Sequence, residues 1–96
     1  MPTETIKEKV APIAQQYGVQ KVFLFGSRAR GDDDEESDYD FLISRGKIDT
    51  LIRYMAFVNS LEDSLGAHVD VVTDTSEDTG FIEQIRKEAI LLYEQS

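Results

Sequence analysis

Cysteine and tryptophan are absent from this 96-residue chain, histidine occurs once and proline twice. Without cysteine there is no disulfide, no thiolate ligand and no cysteine nucleophile. One histidine and no cysteine fall far short of a tetrahedral zinc site. Long apolar runs are missing as well. Tyr54–Val58 and Ala89–Tyr93, five residues each, are the longest, against about 20 for a membrane-spanning helix. The amino-terminal MPTETIKEKV carries no hydrophobic stretch behind its charges, so no signal peptide and no membrane partner are expected, and the expected compartment is the cytoplasm. Basic residues are few: ten Lys and Arg stand against nineteen Asp and Glu, a formal net charge of −9. Passive nucleic-acid binding relies on cations that neutralise phosphates, so generic binding of that kind is disfavoured.

What is present suits one small core. The chain is 41% apolar, and its length predicts a single domain over residues 1–96. A chain this short buries about 60–65% of its unfolded surface, which implies modest stability. Thr5 to Tyr17 reads as an amphipathic helix, with a Thr5/Glu8 capping box and Ile6, Val10, Ile13, Ala14 and Tyr17 on one face. Pro12 should kink that helix or move its start, and Gly18 should stop it. Lys21–Phe25 is short, β-branched and aromatic, a strand buried on both faces. Tyr39–Ile43 and His68–Val72 read as two more strands. Between them, Ile48 to Leu65 reads as a long helix whose buried stripe includes Leu51, Tyr54, Met55, Val58, Leu61 and Leu65. A last helix is expected to bury Phe81, Ile82, Ile85, Ala89, Leu92 and Tyr93. The expected fold class is α/β (α+β): a small mixed sheet of about three strands packed against helices.

The chemistry concentrates in two short segments. In Phe25-Gly26-Ser27-Arg28-Ala29-Arg30-Gly31, Gly26 lets the backbone approach a ligand. Ser27 offers a hydroxyl, and the N–H groups after it would favour a phosphate if they open a helical turn. Arg28 and Arg30 add cationic donors for the same anion, or else pair with neighbouring acids. Ten residues after Ser27 begins Asp38-Tyr39-Asp40. Strand residues two apart share a face, so Asp38 and Asp40 should converge and resist joint ionisation. Mg²⁺ resolves that conflict, because it takes oxygen ligands from one or two carboxylates plus substrate phosphates. Asp70 stands in a strand otherwise suited to burial. Beside the second strand it would complete a three-carboxylate cluster able to hold two metal ions for nucleotidyl transfer. The remaining acids, Asp32 to Glu36, read as a solvated loop. His68 reads as structural, and Tyr39 as packing beneath the metal site.

Gly-Ser, ten residues, then Asp-x-Asp resembles the signature of minimal nucleotidyltransferases in the DNA polymerase β superfamily. The aromatic strand before Gly26, the Arg-Ala-Arg-Gly run, Val-Asp-Val-Val and the final Arg-Lys-Glu-Ala-Ile-Leu-Leu-Tyr-Glu extend the likeness over nearly the whole chain. The resemblance implies the nucleotidyltransferase fold, with Gly26, Ser27, Arg28 and Arg30 at the nucleotide triphosphate. It implies Asp38, Asp40 and Asp70 as metal-binding catalytic carboxylates, Asp70 also assisting the acceptor hydroxyl. It further implies Mg²⁺ as cofactor, ATP or another NTP as substrate, and a HEPN-domain toxin as partner in a homo- or hetero-oligomer. Small members of this family neutralise such toxins, some by transferring AMP to a toxin tyrosine. Larger relatives carry a helical domain for a small acceptor, and the end of this chain after the catalytic module favours an acceptor on a partner. An antitoxin that works by surface burial alone is the alternative.

Overall fold

The computed structural model describes residues 2–31, 38–74 and 79–95. The acidic stretch Asp32–Glu36, read above as a solvated loop, lies outside the described residues, as does Ser37. Helix α1 (Thr3–Tyr17) buries Ile6, Val10 and Ala14. It starts two residues before Thr5, with Pro2 at the N-cap and no side-chain cap. The chain stays helical on both sides of Pro12, which lies on the exposed face. Gly18, with φ +72°, closes the helix by donating to the carbonyls of Ala14 and Gln15.

Strand β1 (Lys21–Phe25) leads through Gly26 into a single helical turn, α2 (Ser27–Arg30). Strand β2 (Tyr39–Ser44) returns antiparallel to β1. Helix α3 (Leu51–Leu65) then carries the chain over to β3 (Val69–Thr73), which runs parallel to β2. That is the connection a parallel neighbour demands. Helix α4 (Thr79–Glu88) precedes β4 (Ile90–Glu94), which pairs antiparallel with the other edge of β1. The sheet order is β3-β2-β1-β4, a mixed sheet as expected, with four strands rather than three.

Two expectations change here. The final apolar run is a strand, not the end of a helix: α4 stops at Glu88, and Ile90–Glu94 gives β1 its second hydrogen-bonded neighbour. A five-residue apolar run has no periodicity to separate strand from helix, so the unpaired edge of a central strand decides. Helix α3 also starts later and is rotated from the expected stripe. Thr50 caps it, accepting from the Arg53 N–H at 3.1 Å. Ile48 is buried ahead of it; Leu61 and Leu65 are buried as expected, Phe57 joins them on the inner face, and Leu51 and Met55 are exposed. Phe81 of α4 is exposed too.

The sheet has a core on each side. On one, α1 and α3 cover Val22, Leu24, Phe41 and Ile43. On the other, Ile82 and Ile85 of α4 cover Leu42, with Phe23, Phe25 and Val72 partly buried beside it. Thus β1 packs on both faces, as its composition predicts. Along β2, residues 38, 40 and 42 share the α4 side. Leu42 is under the helix; Asp40 and Asp38 lie progressively beyond it, toward α2.

Candidate active site

Two strand ends and a tight turn form the candidate site. Gly26 has φ +76° and ψ −156°, a backbone conformation that side chains other than glycine rarely adopt. Glycine is needed for space as well: a Cβ here would run into Asp40 Oδ2. The Ala29 and Arg30 N–H groups both donate to the Gly26 carbonyl at 3.1 Å. The N–H groups of Ser27 and Arg28 stand at the amino end of the turn. The expected helical turn after Ser27 is therefore present, and its mouth abuts a carboxylate.

The carboxylates meet because β2 and β3 are parallel and in register. Tyr39 pairs with Val69, and Asp40 pairs with Asp70. The same register sets Asp38 next to His68, where the Tyr39 N–H donates to the His68 carbonyl at 3.0 Å. The His68 Nδ1 lies 3.6 Å from Asp38 Oδ2 and 3.7 Å from Asp70 Oδ1. Asp38, Asp70 and His68 are exposed, and Asp40 is half-buried. Burial raises the Asp40 pKa above its ordinary value, and the charges of Asp70 and Asp38 raise it further. Arg30 and His68 oppose that rise.

This donor set fits a divalent cation. One ligand atom from each of Asp38, His68 and Asp70 can lie within 4.8 Å of the others. Asp40 stands behind them, reluctant to ionise beside two like charges. Carboxylate oxygens suit Mg²⁺, and a cation would remove the repulsion among them.

The two arginines separate. Arg30 lies close enough to influence Asp40, and it pairs with Glu88 at the end of α4 at 3.4 Å. Arg28 lies over the ring of Tyr39, 3.8 Å from its centroid. That ring is buried and stacks on Phe41, on the sheet face opposite Asp38 and Asp40. Tyr39 thus packs beneath the site, as expected. His68, read as structural, is exposed, and its imidazole stands beside the Asp38 and Asp70 carboxylates. A signal was available: His68-Val69-Asp70 repeats the i, i+2 pattern of Asp38-Tyr39-Asp40. Only the parallel register brings the two patterns side by side.

Among the described residues, no helix is long and apolar enough to cross a membrane. Residues 8–96 match the sequence model of the family described as "Polymerase beta, Nucleotidyltransferase". A Methanocaldococcus jannaschii protein carrying the name "putative protein adenylyltransferase" is 36% identical over 90 residues, 94% of this chain and 97% of that one. Protein adenylyltransferase MntA of Thermococcus cleftensis is 31% identical over 78 residues, 81% of this chain and 79% of that one. Among solved structures, the complex of a tri-AMPylated Shewanella oneidensis HEPN toxin with its MNT antitoxin shares the fold, with a TM-score of 0.74 and 19% identity. That likeness covers 98% of this chain and 74% of the matched one. Because the family match spans both strands that bear the carboxylates and the turn beside them, this chain belongs to the polymerase beta nucleotidyltransferase family and is a nucleotidyltransferase.

Proposed function

We propose that this protein transfers AMP from ATP to a hydroxyl of a partner protein, a tyrosine of a HEPN-domain toxin, and so acts as its antitoxin in the cytoplasm. Residues 1–96 form one nucleotidyltransferase domain in this reading. The observation that carries it is the in-register pairing of Asp40 with Asp70 beside the Gly26 turn. The names of the relatives supply the adenylyl group, and the AMPylated toxin of the structural neighbour supplies the acceptor class.

The triphosphate lies against the opening N–H groups of α2 and the Ser27 hydroxyl, with Arg30 as the nearby cation and Arg28 bordering the turn. Asp38, Asp40 and Asp70 are the residues that hold Mg²⁺. When bound, Mg²⁺ neutralises charge on the phosphates and favours the ionised form of a nearby hydroxyl. In the transfer step, the acceptor oxygen bonds to the α-phosphorus and the bond from that phosphorus to pyrophosphate breaks. The hydroxyl proton passes to the Asp70 carboxylate. A tyrosine hydroxyl has a pKa of about 10 and needs such a base at neutral pH.

The deciding experiment incubates the protein with the HEPN-domain protein of the same organism, Mg²⁺ and ATP labelled at the α-phosphate. Label on a tyrosine of the partner is the expected result. Neutralisation of the partner without label would replace transfer by surface burial.

A further inference from the structure

The outer face of α3 carries three of the five large apolar side chains exposed among the described residues. Leu51 is 75% exposed, Ile52 84% and Met55 48%. At helical spacing these three lie on one side, and Asn59 extends the same stripe. In a chain that is 30% charged, the only charged residue from Leu51 to Asn59 is Arg53. Its guanidinium turns away from that stripe, donating to the Tyr17 carbonyl at 2.9 Å. A face that combines exposed large apolar groups with depleted charge has the character of an interface centre. Beside it opens a cavity of about 410 Å³ lined by the apolar side chains of Ile48, Leu51, Tyr54 and Val71 together with the charged Arg45 and Asp49. Its volume accommodates an anchoring side chain.

The stripe is bounded by acids, Asp49 before it and Asp63 after it, both exposed. Asp63 continues the i, i+4 row of Leu51, Met55 and Asn59, and Asp49 precedes the Thr50 cap. A second copy of this chain does not suit such a face. Packed antiparallel, α3 would set Asp49 against Asp63 of the other copy; packed parallel, it would set each acid against its own counterpart. Either arrangement adds like-charge repulsion between chains that each carry −9. Val71, which lines the cavity, directly follows Asp70 in β3, so the two side chains leave opposite faces of the sheet, Val71 on the α3 side and Asp70 on the side of Asp40. The Tyr54 hydroxyl donates to the Val71 carbonyl at 3.0 Å, tying α3 to that strand.

We propose that this face docks a helix of the acceptor protein, apolar along about three turns and flanked by Lys or Arg at both ends. The proposal rests on the protein-acceptor reading above, and it names the surface through which the acceptor protein is held. Docking there gives affinity for the partner without touching the nucleotide.

The test uses the HEPN-domain protein of the same organism as the probe, with binding measured by calorimetry. One variant carries Leu51→Asp with Ile52→Asp; a second carries Asp49→Lys with Asp63→Lys. Each is expected to bind the partner at least about 10-fold more weakly, since central interface truncations commonly cost that much. Their melting temperatures and ATP-induced thermal shifts should match wild type, because all four side chains are exposed. Added salt should weaken the wild-type complex and have less effect on the charge-reversed variant. Wild-type affinity in both variants overturns the proposal, and so does a wild type that fails to bind the partner. A wild-type dimer that Leu51→Asp with Ile52→Asp converts to monomer overturns it in favour of self-association. Loss of binding in the variants, together with no label transfer by wild type, upholds the surface and removes the transfer reaction. Unchanged binding with full transfer does the reverse.

Discussion

Asp40→Asn isolates the electrostatic tension of the site in a single substitution. Asp40 is half-buried, register-paired with Asp70 and two residues from Asp38, and its pKa is raised by burial and then by those two charges. Between the ordinary value of 3.8 and the raised one, the folded protein retains a proton that the unfolded chain has released. Stability from this group therefore falls as pH climbs through that window, and at neutral pH the ionised carboxylate is a net cost. Asparagine keeps the shape and removes the charge. A like-charged pair directly opposite in a sheet costs roughly 0.2–1 kcal/mol. In a domain of this size 1 kcal/mol corresponds to about 4–8 °C in melting temperature, so the variant should melt higher by up to that amount at pH 7. Urea unfolding at pH 7 and at about pH 3 tests the sign: the difference from wild type should narrow at the lower pH, where Asp40 is mostly protonated in both states. Millimolar Mg²⁺ should raise the wild-type melting temperature and leave Asp40→Asn little changed, because a ligand stabilises only the state that binds it. A variant less stable than wild type at pH 7, or a gap independent of pH, would refute the electrostatic reasoning. An undiminished Mg²⁺ response would refute the metal role.

Gly26→Val should cost about 1–3 kcal/mol from its positive φ alone, and its Cβ collides with Asp40; chemical denaturation and ATP calorimetry should show both stability and nucleotide affinity reduced. Asp70→Asn should lower label transfer by at least about 10²-fold, the low end for a positioned base. Its Mg·ATP affinity should change less than that of Asp38→Asn, and full transfer activity would remove Asp70 from the mechanism. Phe57→Ala should destabilise by about 3–5 kcal/mol, whereas Met55→Ala should stay within about 0.5 kcal/mol; equal losses in urea unfolding would contradict the placement of the α3 inner face.

Much of the site was legible in the chain because its chemistry is local. Gly26 at the end of an aromatic strand, Ser27 after it and two carboxylates at i, i+2 each carry their meaning within a few residues. Asp70 was legible for a different reason: a charge between valines needs a partner. The inner face of α3 was harder to read. Leu51, Tyr54, Met55 and Val58 keep helical spacing with Leu61 and Leu65 as well as Phe57 does, and periodicity cannot choose between two overlapping apolar stripes whose centres lie roughly 70° apart. The sheet and α1 chose, by burying Phe57. The same holds for Ile90–Glu94, whose five residues suit a strand or a helix equally until the free edge of β1 recruits them.

His68 marks the boundary most clearly. From sequence alone it is a lone histidine before a strand, with nothing to indicate what stands beside it. Local residue chemistry determined β1, β2 and β3, the turn and the three acids. The parallel register of β2 with β3 is a long-range choice, made by α3 packing across the sheet, and it alone decides that Asp70 faces Asp40 and that His68 stands against Asp38. A slip of one residue would send Asp70 to the opposite face and dissolve the cluster, because side chains alternate along a strand.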